Sequence, residues 1–461
     1  MKDQSNIAYY FIGIGGIGMS ALAHYFSKQG YFVAGYDRSR SEITDALADD
    51  GISMCFDEDL ESIPAQCHDK FCCRVVFTPA VPPSHKQLEY FRSNGFEVLK
   101  RSEILAEIAA LKTCIAVAGT HGKTSISTLA AWILNQGKLK AGAFLGGISG
   151  NFQSNLVLHK NSELVVVEAD EYDRSFLKLF PDIALISYID ADHLDIYGNA
   201  QNMENAYNQF ANQTKHNGTV ILKNDIRNKV VLTGGQKLLT YSFSDVNSDF
   251  YANNITITHS RCHFDLHTPF GVISEIVFPY AGRHHVENAI ASSAIALCAG
   301  ADAGHVRNAL SCFKGVKRRF EYIINTDKLV FIDDYAHHPR EIAATIEAAR
   351  LLFPEWKITG IFQPHLYTRT RDFANDFAES LSKLDRLILL DIYPARELPI
   401  EGVSSEIILE KVTIADKITC TKSTLPGLVE KCIKTEVFIT MGAGDIDKMV
   451  QPIKNILLNE K

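Results

Sequence analysis

Short apolar runs, each closed by glycine or a polar cluster and followed by a stretch of helical period, recur along this chain from end to end. Runs of that kind predict buried strands, and their alternation with helical patterns predicts parallel sheets made of strand–helix–strand units. Residues 7–12 (IAYYFI) form the first strand, a helical pattern over 19–29 stops at Gly30, and 31–37 is a second strand ending on an acid. Further strands are expected at 74–80, 96–99, 114–118, 163–167, 183–189, 329–332, 358–362, 387–390 and 437–440. Helices are expected at 125–136, 281–298, 340–352 and 372–383. Between 250 and 278 the pattern changes to short alternating segments, as in an antiparallel meander along a sheet edge.

The fold class that follows is α/β in three domains. Residues 1–111 make a Rossmann-like N-terminal domain, 112–319 a central P-loop-type ATPase domain, and 320–461 a C-terminal Rossmann-like α/β domain. At 461 residues, with 46% hydrophobic and 22% charged, the chain has material for three separate cores.

The polar clusters that close the strands carry the chemistry. The run Cys114 to Ala118 leads into Gly119, Thr120, His121, Gly122, Lys123, Thr124 and Ser125, where a helix begins. Strand, glycine turn and helix in that order aim backbone N–H groups and the positive helix end at one point, which suits a polyphosphate. Lys123 would reach the terminal phosphates and the Thr124 hydroxyl a magnesium ion. The spacing departs from the common phosphate loop, which has glycine where Val117 stands. Four carboxylates, Glu168, Asp170, Glu171 and Asp173, follow the strand at 163–167, and Asp190, Asp192, His193 and Asp195 follow the next one. Hard cations take such oxygen ligands, and His193 beside carboxylates can complete a second metal site.

Gly13, Gly15, Gly16 and Gly18 stand between the first strand and its helix, with Asp37 at the end of the second. This turn accommodates a pyrophosphate, and Asp37 can accept from ribose hydroxyls, so NAD and a sugar nucleotide both fit. His284 and Asn288, four residues apart, share a helix face and either touch an adenine or cap and pack their helix. Arg369 and Arg371 can clamp a carboxylate or remain solvated.

Charge and cysteine content narrow the partners. A net charge of -8 argues against non-specific binding to nucleic acid or to a membrane surface, and no apolar run reaches membrane-spanning length. The ten cysteines include Cys67, Cys72 and Cys73 without a Cys-x-x-Cys pair, and read as small buried hydrophobes kept reduced. A cytosolic protein, monomeric or homodimeric, is expected.

Six motifs in series resemble those of the Mur ligases of bacterial peptidoglycan synthesis: 119–124 (GTHGKT), 168–171 (EADE), 190–193 (DADH), 282–284 (GRH), 318–321 (RRFE) and 333–339 (DDYAHHP). The resemblance spans essentially the whole chain. It implies an ATP- and magnesium-dependent enzyme that joins L-alanine to the lactyl carboxylate of UDP-N-acetylmuramate through an acyl phosphate. By the same likeness the 119–125 loop, His284, Asn288, Arg319 and Asp334 bind ATP, with Lys123 on its phosphates. Thr124, Glu168 and His193 hold magnesium. The 13–18 turn, Asp37 and Thr78 hold the UDP-sugar, and Tyr335, His337 and Arg369 serve the incoming alanine, His337 and Arg369 together with Lys123, Glu168 and His193 forming the catalytic set. Many members carry His-Arg at 365 and 366; Leu366 here leaves selectivity among alanine, glycine and serine open. A ligase for a recycled tripeptide, an NAD-linked oxidoreductase and a nucleotide-gated binding module are the alternatives.

Overall fold

The structure, a computed structural model, describes residues 7–190, 194–258, 261–395, 397–432 and 436–459. The chain separates into two compact units. One comprises Met1–Asn253, Asp265–Ser274 and Asn288–Phe313; the other comprises Asn254–Phe264, Glu275–Glu287 and Lys314–Lys461.

The first sheet of the first unit has five parallel strands in the order Ser53–Cys55, Phe32–Tyr36, Ala8–Ile12, Cys73–Phe77 and Glu97–Lys100. Strand order reverses at Ala8–Ile12, so the crevice beyond its carboxyl end is where open α/β sheets take ligands. Both faces of this strand are buried. Tyr9 and Phe11 enter one core with Leu22, Phe26 and Ile104, while Ala8, Tyr10 and Ile12 enter another with Leu88 and Phe91. Side chains alternate across a strand, and with a core on each face the run must be apolar throughout.

In the second sheet Thr113–Ala118 lies between Ile183–Ile186 and Leu164–Glu168, parallel to both. Beyond Ile183–Ile186 the order continues through Thr219–Lys223 and Lys237–Ser242 to Phe250–Thr258, Arg261–Thr268 and Gly271–Phe278, the alternating segments expected along an edge. The strand predicted to run to residue 189 ends at Ile186, because Ser187 and Tyr188 are drawn into the neighbouring loop. Thr120 N–H donates to the Tyr188 carbonyl at 3.0 Å, and the Ser187 hydroxyl donates to the His121 carbonyl.

The second unit holds a sheet ordered Glu321–Asn325, Leu329–Asp334, Glu436–Met441, Lys357–Phe362, Arg386–Leu390 and Lys417–Cys420, antiparallel only in its first pair. Phe331, Ile361, Ile388 and Phe438 line one core face against Leu425, Val429 and Ile453. The helix expected at 372–383 is Ala374–Leu381, and a short helix, Tyr367–Asp372, that the pattern did not announce precedes it; Phe373 between them packs edge-on against His338. Among the described residues no helix is long and apolar enough to cross a membrane.

Phe11 is fully buried beneath the first turn. Phe11→Ala is expected to cost about 3–5 kcal/mol, read as a lowered urea midpoint for the first unit.

Candidate active site

The loop after Thr113–Ala118 is shaped by two glycines. Gly119 has φ 127°, and a Cβ there would lie 2.8 Å from the Ser187 backbone nitrogen, a contact that no side-chain movement relieves. Gly122, at φ 83°, is the N-cap of helix Lys123–Gln136 with no side-chain cap bond, so the positive helix end is open to an anion. The helix begins at Lys123, two residues earlier than its apolar period suggests. A Cβ on Gly122 would also lie 2.8 Å from Asn288 Oδ1, which puts Asn288 beside the 119–125 loop.

Register brings the acids to the same loop. Glu168 pairs with Val117, and Ala169 N–H donates to the Val117 carbonyl, so the acidic run starts level with the loop. Lys123 Nζ donates to the Gly119 carbonyl and to Glu171 Oε1, each at 2.8 Å. Burial alone would lower the Lys123 pKa, but the carboxylates of Glu171, Asp170 and Glu168 outweigh it and hold the lysine charged above its usual range. Thr124 is buried in the first helical turn, and a Cβ on Gly146 would fall on the Glu168 carboxylate.

The hydroxyl of Thr124 and the carboxylate of Glu168 are the oxygen donors magnesium takes, and the open helix end with a charged lysine fits a polyphosphate. His193 lies outside the described residues. Asp190, just before it, is tied to the loop by its N–H to Thr120 Oγ1 (3.3 Å) and by its carboxylate 3.3 Å from His121 Nε2. Among the described residues no three His, Cys, Asp or Glu side chains form a cluster that could hold a metal ion.

At the 13–18 turn, Gly15 N–H donates to Asp37 Oδ2 at 2.7 Å, so Asp37 braces the turn as well as facing it. Thr78 packs on Gly13, and a Cβ on Gly18 would meet Arg101 Nη1 at 2.6 Å, which sets this guanidinium over the start of helix Ile17–Lys28. Arg101 also reaches Asp170 at 3.4 Å. Gly16 caps the helix without a side-chain bond.

In the second unit the motif around residue 335 forms a separate cluster. Both arginines before Phe320 lie over the Tyr335 ring, at 5.1 and 5.0 Å from its centre, and Arg318 also pairs with Asp333 at 3.2 Å and donates to the Gly442 carbonyl at 2.6 Å. Asp334, expected at the nucleotide, has both oxygens on backbone: Oδ2 accepts from Phe320 N–H (2.9 Å) and Oδ1 from Ala336 N–H (2.8 Å). Burial pushes its carboxyl up to about 6, with Arg319 opposing.

His337 sits 3.0 Å from the Tyr335 carbonyl and 3.4 Å from Glu341 through Nδ1. Burial lowers its pKa against the pull of the Glu341 carboxylate, and Arg369 adds repulsion; a carbonyl cannot donate, so in the neutral ring Nδ1 carries the proton and Nε2 is an acceptor. Glu341 holds this arrangement by also accepting from His337 and His338 N–H at 3.1 and 3.2 Å. Arg369 follows Leu366, whose φ of 72° turns the chain into helix Tyr367–Asp372, while Arg371 points outward onto Asp372 at 2.7 Å. His284 is buried against His285, ring centres 3.9 Å apart, and burial lowers its pKa to about 4.

Three sequence profiles match the chain in series: the Mur ligase family catalytic domain over residues 8–113, the Mur ligase middle domain over 117–296, and the Mur ligase glutamate ligase domain over 318–444. A protein of Porphyromonas gingivalis named UDP-N-acetylmuramate–L-alanine ligase is 47% identical over 97% of this chain and 98% of its own. The protein of the same name from Christiangramia forsetii is 47% identical over the full length of both. The chain belongs to the Mur ligase family. The crystal structure of the UDP-N-acetylmuramate–alanine ligase of Thermotoga maritima superposes on this Mur ligase with a TM-score of 0.82 at 25% identity, covering 99% of this chain and 100% of that one.

Two residues of this Mur ligase escaped the sequence reading. Glu171 was visible only as one acid of a run, and its pairing with Lys123, 48 positions away, is a product of strand register. Arg101 stood at a strand end without a partner in view. Gly119→Ala is expected to abolish ADP binding by titration calorimetry while leaving the first sheet folded, since the added methyl collides with backbone. The Asp334 carboxyl is raised in the folded protein, so its stabilising contribution is complete below about pH 4 and is lost as pH rises through about 6, up to about 3 kcal/mol. Comparing urea midpoints of the native protein and Asp334→Asn at pH 4.5 and 7.5 checks this: the native side chain is favoured more at the lower pH.

Proposed function

We propose that this Mur ligase joins L-alanine to the lactyl carboxylate of UDP-N-acetylmuramate, converting ATP to ADP and phosphate. The observation that carries the reading is end-to-end identity of 47% with ligases of that name, in a chain that keeps a charged lysine at an open helix end. A carboxylate is a poor electrophile, so the γ-phosphoryl group is first transferred to it with loss of ADP. The amine of alanine then attacks the acyl carbon, phosphate departs and an amide remains.

In this reading residues 1–111 hold the UDP-sugar through the 13–18 turn, Asp37 and Thr78. Residues 112–319 bind ATP: Lys123 balances phosphate charge as it shifts, Thr124, Glu168 and His193 hold magnesium, and His284, Asn288 and Arg319 contact the nucleotide. Magnesium, when bound, neutralises the phosphate oxygens and aligns them for in-line transfer. In 320–461 Asp334 braces the turn that carries Arg319, and Tyr335, His337 and Arg369 hold alanine, with His337 Nε2 able to accept a proton from its ammonium.

The test is phosphate release from ATP and magnesium with UDP-N-acetylmuramate, offering L-alanine, glycine, L-serine and the tripeptide L-alanyl-γ-D-glutamyl-meso-diaminopimelate in turn. Release should require both the sugar nucleotide and L-alanine, and should fall by at least about a hundredfold in Lys123→Ala. Release with the tripeptide instead would assign the recycling reaction, and no release with any pair would overturn the reading.

A further inference from the structure

The acidic run after Leu164–Glu168 is divided among cations. Asp170 takes Arg101 at 3.4 Å and Asp173 takes Lys100 at 2.6 Å, while Glu171 takes Lys123. Only the last of these cations belongs to the phosphate loop. Glu171 is 1% exposed, and its second oxygen, Oε2, has no hydrogen-bond partner among the described residues.

Glu171 is also firmly mounted. Its carbonyl accepts from the buried Tyr197 hydroxyl at 2.7 Å, and the chain then turns through Asp173 and Arg174, both left-handed at φ 53° and 54°. Lys123, on four methylenes, is the partner that can move. Of the three N–H donors on its ammonium, two are on the Gly119 carbonyl and Glu171. A phosphate at the open helix end competes for the same ammonium, and a buried carboxylate that loses its cation stays behind at a cost.

We propose that Glu171 is a positioning residue that holds Lys123 before a nucleotide enters and yields it to the phosphates, so that nucleotide binding breaks this ion pair. The ion pair thereby weakens nucleotide affinity and favours release of ADP after turnover. This rests on reading the 119–125 loop as the nucleotide site. A purely structural role for Glu171 predicts the opposite, since removing a structural ion pair next to the loop loosens the loop and weakens binding.

The experiment is titration calorimetry of magnesium–ADP with the full chain, comparing the native protein, Glu171→Gln, Lys123→Met and the double variant. Glu171→Gln is expected to bind ADP about three- to tenfold tighter, and in the Lys123→Met background the same change should alter affinity less than about twofold. In turnover the KM for ATP should fall together with kcat, as an affinity gain without transition-state gain requires. Should Glu171→Gln fail to fold, Glu171→Asp keeps the charge, draws the carboxylate back by one methylene and carries the same expected direction. Unchanged or weaker ADP binding overturns the proposal. An equal gain without Lys123 also overturns it, by showing that the phosphates feel the carboxylate directly. Absence of ADP binding to the native protein overturns both this proposal and the ligase reading, whereas native binding without the gain overturns the proposal alone.

Discussion

A charged, half-buried lysine paired with the buried Glu171 carboxylate, with Asp170 and Glu168 adding to the field, is the constraint from which the loop site follows. The Glu171 carboxylate alone would be costly in that buried position. The attraction between lysine and carboxylates keeps Lys123 charged in the absence of any ligand. In the proposed nucleotide site a polyphosphate would therefore meet a cation already in place, with no proton to be found at the moment of binding. The cost is a competition between protein and ligand for one ammonium group.

The backbone makes that arrangement possible. Parallel pairing of Thr113–Ala118 with Leu164–Glu168 sets Glu168 level with the loop, and the 3-10 segment Tyr172–Lys178 bends the chain so that Glu171 turns inward. On the other side Ser187 and Tyr188 leave their strand early to bond the loop. The loop is thus wedged between two strand ends, and Gly119 is the point of closest approach. A side chain there would part the strands that supply the charges.

The second unit solves a different problem with similar means. Burial lowers the His337 pKa, and Glu341 holds the residue through both its ring and its backbone N–H. Arg318 and Asp333 secure the connection around Tyr335, with both Arg318 and Arg319 over the aromatic ring. The carboxyl of Asp334 spends its oxygens on two backbone N–H groups, so its contribution to a site is to fix the turn that carries Arg319.

Strands and most helices were legible because their cause is local. A run such as 7–12 is apolar at every position only when both faces of a strand are buried, and the glycines after it mark the turn. The form of the loop was legible for the same reason, since strand, glycine turn and helix start lie within one short stretch. Boundaries failed where tertiary contacts intervened: residues 187–189 have strand composition but Ser187 and Tyr188 bond the loop, and the helix expected from 372 starts at Ala374, after Phe373 turns to pack on His338. Pairings between distant residues were beyond the sequence, because charge partners such as Lys123 with Glu171 or Gly18 with Arg101 depend on which strands lie side by side. The sequence by itself determined which segments are buried and which polar groups stand at their ends; the tertiary structure alone decided which of those groups meet, because sheet order and register are set by the packing of whole layers.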